Sequence, residues 1–388
     1  MNPPRLAILC DYPQENWVSM NLVAEMLHVG LGHCCAGEIV SEQVCPPFRR
    51  RASFIPGIRD NLLAVNFDRL ANRLRDYPRY LRSLRHVYNA FHVADHSYAA
   101  LVHALPAERT GVFCHDLDAF RSILDPQSHP RPRWFRAMAA HVLKGMQKAA
   151  VVFYTTDDVA RQIRRHGLVD PARLVQAPLG VASEFVPDET AAADAAPTID
   201  PRIASAAHAG PFLLHVGSCI RRKRIDVLLD VLAAVRRADP RVRLIKVGGA
   251  WSHAHLAQQT RLGITDAISH FQDIDRPTLA WLYRRAAAVV VTSESEGFGL
   301  PVIEALACGA PVVASEIPVL REVGGGAVSY CAVGDVDAWA TEVARIVSDP
   351  SHAPPRSARL ARASIYSWSN HARIVGKTYL KLLGQGGD

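Results

Sequence analysis

Two glutamates flank a short glycine-bearing turn in the second half of the chain. Glu296 stands directly before the turn Gly297-Phe298-Gly299-Leu300, and Glu304 follows Glu296 after seven intervening residues. Pro301 suits the first turn of a helix, where its missing N–H costs nothing. Backbone N–H groups at a helix start bind anions, and carboxylates accept hydrogen bonds from hydroxyl groups. The spacing therefore predicts a ligand that carries both phosphate and sugar hydroxyls.

A run of four cations forms a second candidate site for phosphate. Residues 221–224 read Arg-Arg-Lys-Arg, and they follow an apolar run, Phe212 to Gly217, that is typical of a buried strand. Like charges in a row repel one another, so the run does not serve folding alone. It suits a polyphosphate, which guanidinium and ammonium groups bind through charge-assisted hydrogen bonds.

Acidic residues and histidines follow two predicted strands in the first half of the chain. Asp95 and His96 come at the end of one strand, and His115 and Asp116 end the strand that begins at Gly111. Ligands of parallel α/β proteins bind at the carboxyl ends of strands, so these side chains are candidates for substrate binding. Asp116 either orients the imidazole of His115 or binds substrate; the competing interpretation is that His115 is structural.

The elements that must position these residues alternate between strand and helix. Arg5 to Cys10 reads as a strand, followed by a loop and by a helix that starts at Asn21, which is how a Rossmann-like domain begins. No G-x-G-x-x-G follows that strand, so a nicotinamide site has no support there. Pro187 to Gly210 lacks helical or strand periodicity and is interpreted as a linker. After it, predicted strands and helices alternate again. The chain is therefore predicted to be α/β, with two Rossmann-like domains.

The stretch from Ser295 to Ser315 resembles the donor-site signature of the retaining nucleotide-sugar glycosyltransferases of family 4. It combines Glu-Gly-Phe-Gly-Leu-Pro with Glu-Ala-Leu-Ala-Cys-Gly-Ala-Pro-Val-Val-Ala-Ser. The resemblance is dense from Phe212 to Ser315 and scattered before it. It implies the GT-B fold, in which two Rossmann-like domains face each other across a cleft.

The same resemblance implies the division of the chain. The predicted parts are an acceptor-side domain at 1–185, a linker at 186–210, a nucleotide-sugar-binding domain at 211–365 and a terminal helix at 366–388 that packs back on the first domain.

The resemblance also implies which residues hold the donor diphosphate. Arg222 and Lys223 match the Arg-Lys pair that holds this group in the family, and the flanking Arg221 and Arg224 are interpreted as surface charge. The backbone amides of residues 297–300 would be directed at the same group.

Four further residues complete the predicted donor site. Glu296 would bind sugar hydroxyls near the anomeric carbon, and Glu304 would accept from the ribose hydroxyls. Ile274 occupies the apolar position of the family's base-binding loop, although Gln272 replaces its usual glycine. His115 matches the histidine that reaches the donor sugar in the family. The predicted catalytic residues are therefore Glu296, His115, Arg222 and Lys223.

The acceptor is predicted to bind in the first domain. The family has a glycine-rich loop after the first strand, whereas this chain has Asn16-Trp17-Val18-Ser19-Met20 there. This departure points to an unusual acceptor. The candidate acceptor residues are Ser19 from this loop and Asp95, His96 and Asp116 from the later strand ends.

The predicted activity is retaining transfer of a sugar from a nucleoside diphosphate sugar to a glycan, a lipid or a small molecule. Retention in the family is attributed to same-face attack, with the leaving phosphate taking the acceptor's proton. No D-x-D stands at a strand end, and the cations take the place of a divalent ion, so neither a metal nor a cofactor is predicted. The alternatives are another enzyme of this architecture, such as an epimerase, and a non-catalytic nucleotide-sugar-binding protein.

The net charge of +7 is concentrated in one segment. Between Ser41 and Ala90 there are ten arginines against four acidic residues, with Phe and Tyr interleaved. The region from Arg49 to Arg85 suits contact with an anionic membrane, and the alternative is a solvated helix face. It has no recognised nucleic-acid-binding motif, so nucleic acid is not a predicted partner.

The remaining composition favours a cytoplasmic protein. No apolar run approaches the roughly 18 residues that span a bilayer, and the N-terminal apolar segment is too short for a signal peptide. The eight cysteines contain no C-x-x-C pair, which favours reduced thiols over disulfides or a zinc site. The basic segment would give at most a peripheral attachment to the inner face of the membrane.

Overall fold

The structure, a computed structural model, describes residues 2–15, 17–55, 57–59, 61–188 and 199–384. The chain divides into two compact units, Met1–Gly180 with Trp368–Asp388 and Val181–Ser367. Each unit is built on one sheet, and the paired strands of both sheets run parallel throughout the described residues. The α/β class predicted from the sequence is confirmed.

The first unit has a sheet of six described strands. They are β1 (Arg5–Leu9), β2 (Val40–Val44), β3 (Ala90–Val93), β4 (Thr110–Cys114), β5 (Val151–Tyr154) and β6 (Leu174–Gln176). Their order in the sheet is β2-β1-β3-β4-β5-β6. A strand that helices cover on both faces is apolar throughout, as the fully buried residues 6–8 of β1 illustrate.

Helices surround this first sheet. The described ones are α1 (Val18–Cys34), α2 (Leu62–Ala71), α3 (Tyr77–Leu84), α4 (Arg121–Leu124), α5 (Arg133–Lys148), α6 (Asp157–Arg165) and, at the end of the chain, α15 (Trp368–Leu382). A π-helical turn, Asn72–Asp76, joins α2 to α3. The close packing of α15 on α1 requires glycine, because a Cβ at Gly30 would lie 2.7 Å from that of Ala372.

The second unit repeats the architecture. Its described strands are β7 (Phe212–Val216), β8 (Arg243–Val247), β9 (Ile268–Phe271), β10 (Ala288–Val291), β11 (Val312–Ser315) and β12 (Ser329–Cys331). Their order is β12-β11-β10-β7-β8-β9. Its described helices are α7 (Pro201–His208), α8 (Ile225–Ala238), α9 (His253–Leu262), α10 (Arg276–Arg285), α11 (Leu300–Ala307), α12 (Pro318–Gly324), α13 (Val336–Ser348) and α14 (Arg356–Ala363).

Two local expectations differ from the structure. The predicted linker 186–210 contains helix α7, which begins at Pro201 and is capped by the side chain of Asp200. Only Ile203 is buried within α7, so the segment has no apolar period from which a helix could be predicted. Residues 189–198 of that linker lie outside the described residues. Helix α1 begins before Asn21, so Ser19 lies in its first turn and not in a loop.

Candidate active site

The residues of the predicted donor site meet at one edge of the second sheet. Strands β7 and β10 are neighbours, and Leu213 pairs with Ala288. Because parallel strands end at the same edge, the cationic segment 221–224 after β7 and the loop 292–299 after β10 emerge side by side. The topology alone therefore explains why residues about seventy positions apart share one site.

Glu296 lies at the centre of this site. Nη1 of Arg222 donates to its Oε2 over 3.0 Å, and Nζ of Lys223 donates to its Oε1 over 2.5 Å. The hydroxyl of Ser293 donates to Oε1 over 2.6 Å. The structure thus brings together the three predicted residues Arg222, Lys223 and Glu296, and it adds Ser293, which the motif did not single out.

The charge state of Glu296 follows from these contacts. Burial alone would raise its pKa, but the charges of Lys223 and Arg222 and the hydrogen bonds from Lys223 and Ser293 lower the pKa of Glu296 to about 2. The carboxylate is therefore ionised at any physiological pH. Two cations face one carboxylate, so this triad retains an excess of positive charge for an anionic ligand.

Backbone hydrogen bonds fix the cationic segment against the loop. Glu294 donates its N–H to the carbonyl of Arg222 over 2.8 Å, and the hydroxyl of Thr292 donates to the carbonyl of Lys223 over 2.9 Å. Arg224 has a left-handed backbone (φ 48°) and pairs with Asp226 at 2.9 Å and with Glu294 at 3.6 Å. Arg224, interpreted as surface charge, is partly exposed, and its ion pairs join the start of α8 to the loop.

The glycine-bearing turn has the geometry that its sequence predicts. Gly299 precedes α11 with a φ of 97°, and a Cβ there would lie 2.7 Å from Cδ2 of Leu320, so both conformation and space favour glycine. Phe298 is buried and its ring meets that of Tyr366 edge-on at 5.4 Å. The turn is thereby anchored on one side, and α11 begins at Leu300 with Pro301 in its first turn.

Glu304 lies one turn inside α11 and is also buried. Oε2 of Glu304 accepts a hydrogen bond from the hydroxyl of Tyr283 over 3.0 Å. Burial raises the pKa of Glu304 to about 7, so the carboxyl group is partly protonated at neutral pH. A carboxyl in this state both donates and accepts, which suits contact with hydroxyl groups. Tyr283 lies on α10, outside the motif, and sequence reasoning missed it.

Lys246 is a second residue that sequence reasoning missed. It is fully buried in β8, and its Nζ donates to the carbonyls of Gly217 and Gly249 over 2.8 Å each and also to the carbonyl of Gly248. Burial lowers the pKa of Lys246. The amine joins the turn after β7 to the turn after β8 at the ligand-binding edge. The signal in the sequence was one lysine between apolar residues of the strand.

Ile274 lies elsewhere on the same edge. It is half-buried in the loop that joins β9 to α10, next to Asp275, whose side chain caps α10. Strand β9 is the third neighbour from β10, or about 14 Å at the usual spacing of strands. Ile274 therefore does not belong to the Glu296 triad, although it follows a strand of the same sheet.

In the first unit, the predicted histidines and carboxylates also meet. Nδ1 of His96 lies 3.2 Å from Oδ1 of Asp95, and its Nε2 lies 3.5 Å from Oδ1 of Asp116. The backbone N–H of His115 points at Nδ1 of His96 over 3.4 Å. These residues follow β3 and β4, which are adjacent strands, so the strand-end prediction explains the group.

The side chain of His115 has a different partner from the one predicted. Its Nε2 donates to the carbonyl of Ala94 over 2.9 Å, and burial lowers its pKa, so the imidazole is neutral. The carboxylate of Asp116 faces His96, so the suggestion that it orients the imidazole of His115 is wrong. Ser19 is exposed in α1 and has no hydrogen bond to this group among the described residues.

Three charged residues near this group were missed. Asp11, just after β1, is buried, and both its carboxylate oxygens lack a partner in the described structure. Burial raises the pKa of Asp11 to about 9, and nearby Asp95 adds to the effect. Arg73 donates to the carbonyl of Ser97 over 2.7 Å and lies 3.5 Å from Glu15. An apolar run directly before Asp11 was the available signal.

Comparison with solved structures identifies the class of fold. Sucrose-phosphate synthase from Thermosynechococcus elongatus superposes with a TM-score of 0.71 at 19% identity, covering 98% of this chain and 99% of that one. HepE of Anabaena, in complex with UDP and glucose, gives a TM-score of 0.70 at 15% identity, covering 97% and 99%. The protein has the GT-B fold, as the sequence predicted.

The sequence of the second unit is similar to a known family. Residues 199–364 match the family model described as "Glycosyl transferases group 1". The Glu296 triad lies inside the matched region.

Two curated relatives illustrate the match. The D-inositol 3-phosphate glycosyltransferase of Segniliparus rotundus is 34% identical over 236 residues, which cover 58% of this chain and 51% of that protein. The O-antigen chain mannosyltransferase B of Escherichia coli is 29% identical over 337 residues, 82% of this chain and 86% of that protein. The chain spans about half the length of the first of these.

Proposed function

We propose that the protein transfers a sugar from a nucleoside diphosphate sugar to a hydroxyl acceptor, with retention of configuration and without a divalent metal. The observation that carries this proposal is the triad in which Arg222 and Lys223 hold the buried, ionised Glu296. The names of relatives support it, because they describe glycosyl transfer to inositol 3-phosphate and to O-antigen chains. A solved neighbour binds UDP-glucose.

The charge balance of the triad suits the departure of a diphosphate. Negative charge grows on the diphosphate as the anomeric bond breaks, and fixed cations aimed at that charge stabilise the transition state. Arg222 and Lys223 would turn from Glu296 to the diphosphate, and Glu296 would then accept from sugar hydroxyls. The two cations supply the charge that a divalent ion provides in other transferases.

The contacts of Glu296 also bear on the stereochemistry. In the structure its carboxylate accepts three hydrogen bonds, and in the proposed donor complex it would accept from sugar hydroxyls, so its oxygens are engaged in both states. The carboxylate is therefore unsuited to form a covalent sugar intermediate. We infer attack on the same face as the departing diphosphate, which takes the acceptor's proton.

The donor site lies in the second unit, and we propose that the first unit binds the acceptor through Asp95, His96 and Asp116. We also propose a cytoplasmic protein that contacts an anionic membrane through the region Arg49–Arg85. Among the described helices, none combines the length and apolar character needed to cross a bilayer. Large apolar side chains are exposed in this arginine-rich region.

The proposal is tested by identifying a donor and then its product. A thermal-shift screen of UDP-, GDP- and ADP-sugars selects the donor, and the purified protein is then incubated with that labelled sugar and candidate acceptors, with and without EDTA. We expect a glycosylated product whose anomeric configuration, read by NMR, matches that of the donor. An isomerised sugar nucleotide would instead indicate an epimerase, and binding without turnover would indicate a non-catalytic protein.

A further inference from the structure

A cavity of about 350 Å³ lies in the first unit, between the loop after β2 and helix α2. Three arginines line it, Arg50, Arg59 and Arg69, together with Gln14 and Phe48. No part of the donor site contributes to it, since all of these residues precede β3. The cavity is therefore a separate candidate binding site with a strong positive charge.

The guanidinium groups around the cavity are largely uncommitted. Arg50 and Arg59 are exposed and have no carboxylate partner among the described residues. Nη2 of Arg69 donates to the carbonyl of Gln14 over 3.3 Å, whereas its Nε is buried without a partner. Guanidinium groups match phosphate oxygens in paired hydrogen bonds. Three of them around one cavity favour a phosphate-bearing ligand.

The buried carboxylate of Asp68 fixes the loop that carries Arg50. Asp68 on α2 is fully buried and accepts the backbone N–H groups of residues 51–53 over 3.1, 2.9 and 3.0 Å and the Ser53 hydroxyl over 2.6 Å. Burial alone would raise the pKa of Asp68, but these hydrogen bonds lower it to about 2. Asp68 is therefore ionised and adds one negative charge to the lining, which the three arginines outnumber. The loop is fixed before any ligand binds, which lowers the cost of binding.

The cavity borders an exposed apolar surface. Phe54 and Leu63 are 79% and 80% exposed, and Ile55, Leu62 and Phe67 are also exposed. These side chains belong to the loop and to α2, the same two elements that form the cavity. Large apolar groups beside arginines are typical of surfaces that enter the headgroup region of a membrane. A soluble phosphate would not account for them.

We propose that this cavity binds the phosphate group of a membrane lipid, and that the exposed apolar side chains insert among the lipid chains. The anionic headgroup and the apolar chain together complement the arginines and the apolar surface. We further assign this lipid as the anchor of the sugar acceptor, a step that rests on the proposed function. The two sites are connected: Gln14 lines the cavity, and its neighbour Glu15 lies 3.5 Å from Arg73. Arg73 donates to the carbonyl of Ser97, whose N–H donates to Asp95 of the proposed acceptor group.

The test compares two double variants of equal charge change by sedimentation with vesicles. Phosphatidylcholine vesicles carry either phosphatidic acid, a phosphate monoester, or phosphatidylglycerol at the same surface charge. We expect Arg50→Ala/Arg59→Ala to weaken binding to the phosphatidic acid vesicles about 30-fold. The control Arg164→Ala/Arg165→Ala removes two exposed arginines of α6, outside the region Arg49–Arg85, and should change it by no more than about threefold. Equal losses in the two variants, or equal binding of wild type to both lipids, would show diffuse attraction and overturn the proposed site.

A second arm separates a lipid from a free phosphate. Leu63→Ser/Phe67→Ser should release the protein from phosphatidic acid vesicles, and inorganic pyrophosphate in about tenfold excess over the accessible lipid should not displace wild type from them. Retained vesicle binding in this variant, or displacement of wild type by pyrophosphate, would overturn the lipid assignment. These assays contain no nucleotide sugar, so they remain informative if the proposed sugar transfer fails.

Discussion

The polar groups at the carboxyl edges of the two sheets have opposite charge balances. In the second unit, Arg222 and Lys223 outnumber the one carboxylate they hold, Glu296. In the first unit, several carboxyl groups surround one arginine. Among the described residues, this group contains Glu15, Asp95, Asp116 and Arg73, together with Asp11, which is neutral at physiological pH because its pKa is about 9.

This contrast indicates a division of labour. An excess of cations attracts a diphosphate, whereas an excess of carboxyl groups repels phosphate and favours hydroxyl donors. The same strand-end architecture thus serves two chemistries, and the difference lies in the side chains that follow each strand. Variants that remove one charge at a time test whether the two groups are as distinct as proposed.

The largest effect is expected for Lys223→Ala. Loss of one cation aimed at the departing diphosphate should lower kcat by about 100- to 1,000-fold, the cost of removing one donor that stabilises transition-state charge. Steady-state kinetics with the donor found by the screen provide the measurement.

Arg221→Ala is the matched control for this variant. Arg221 neighbours the pair but is exposed, so kcat should stay within about twofold of wild type. Similar rates in the Lys223 and Arg221 variants would contradict the assignment of the donor site, provided that both melt cooperatively near the wild-type temperature.

A second comparison concerns the two buried carboxyl groups with raised pKa values, Glu304 and Asp11. Their pKa values are about 7 and about 9 in the folded protein, above the ordinary value of about 4 in the unfolded chain. The folded state therefore holds these protons more tightly, and its stability falls as pH rises from about 4 to each folded pKa. A variant with the uncharged amide of the same shape, Gln for Glu304 or Asn for Asp11, does not lose stability in this way as pH rises.

Glu304→Gln should consequently gain stability over wild type between about pH 4 and pH 7, by at most about 4 kcal/mol, and the gain should then level off. The gain in Asp11→Asn should continue to rise up to about pH 9. Urea unfolding of the three proteins at a series of pH values measures both profiles. A gain that is independent of pH in either variant would show that the replaced carboxyl group is not the buried proton acceptor inferred here.

Glu296→Gln should have a smaller effect on turnover but an informative one on binding. Loss of one charged hydrogen bond to the sugar should lower kcat by at least about tenfold. The same change frees Arg222 and Lys223 from their carboxylate, so the variant should bind a nucleoside diphosphate more tightly than wild type does. Calorimetric titration with the diphosphate checks this, and weaker binding would argue against competition between Glu296 and phosphate.

The grouping of the proposed donor-site residues was predictable because each of its two motifs is contiguous. The segments around Arg222 and Glu296 follow neighbouring parallel strands, and both could be recognised from residue types and spacing. Ser293 and Tyr283 were not predictable, because hydroxyl side chains occur everywhere and their partners depend on packing. Lys246 was missed for a related reason. Its three acceptors are backbone carbonyls, which cannot be recognised from residue types.

The first unit was harder to predict, since its polar group is assembled from separate segments. Asp95 and Asp116 could be proposed from their places at strand ends. Arg73, in contrast, comes from the π-helical turn between α2 and α3, and a count of arginines placed it with the basic surface. Its guanidinium lies 3.9 Å from the ring of Tyr98 and faces inward. Tertiary packing alone separates it from the exposed arginines.

The variant with the smallest expected effect, Asp116→Asn, distinguishes the two units most directly. Asp116 is partly exposed beside His96, and Asp116→Asn keeps its shape while removing its charge. If the first unit binds acceptor hydroxyls, this variant should raise the KM for the acceptor about fivefold, the value of one modest hydrogen bond, and leave the KM for the donor unchanged. Kinetics with each substrate varied in turn separate the two constants. A rise confined to the donor KM would instead place Asp116 with the sugar nucleotide, and the contrast between an anion-binding and a hydroxyl-binding unit would then fail.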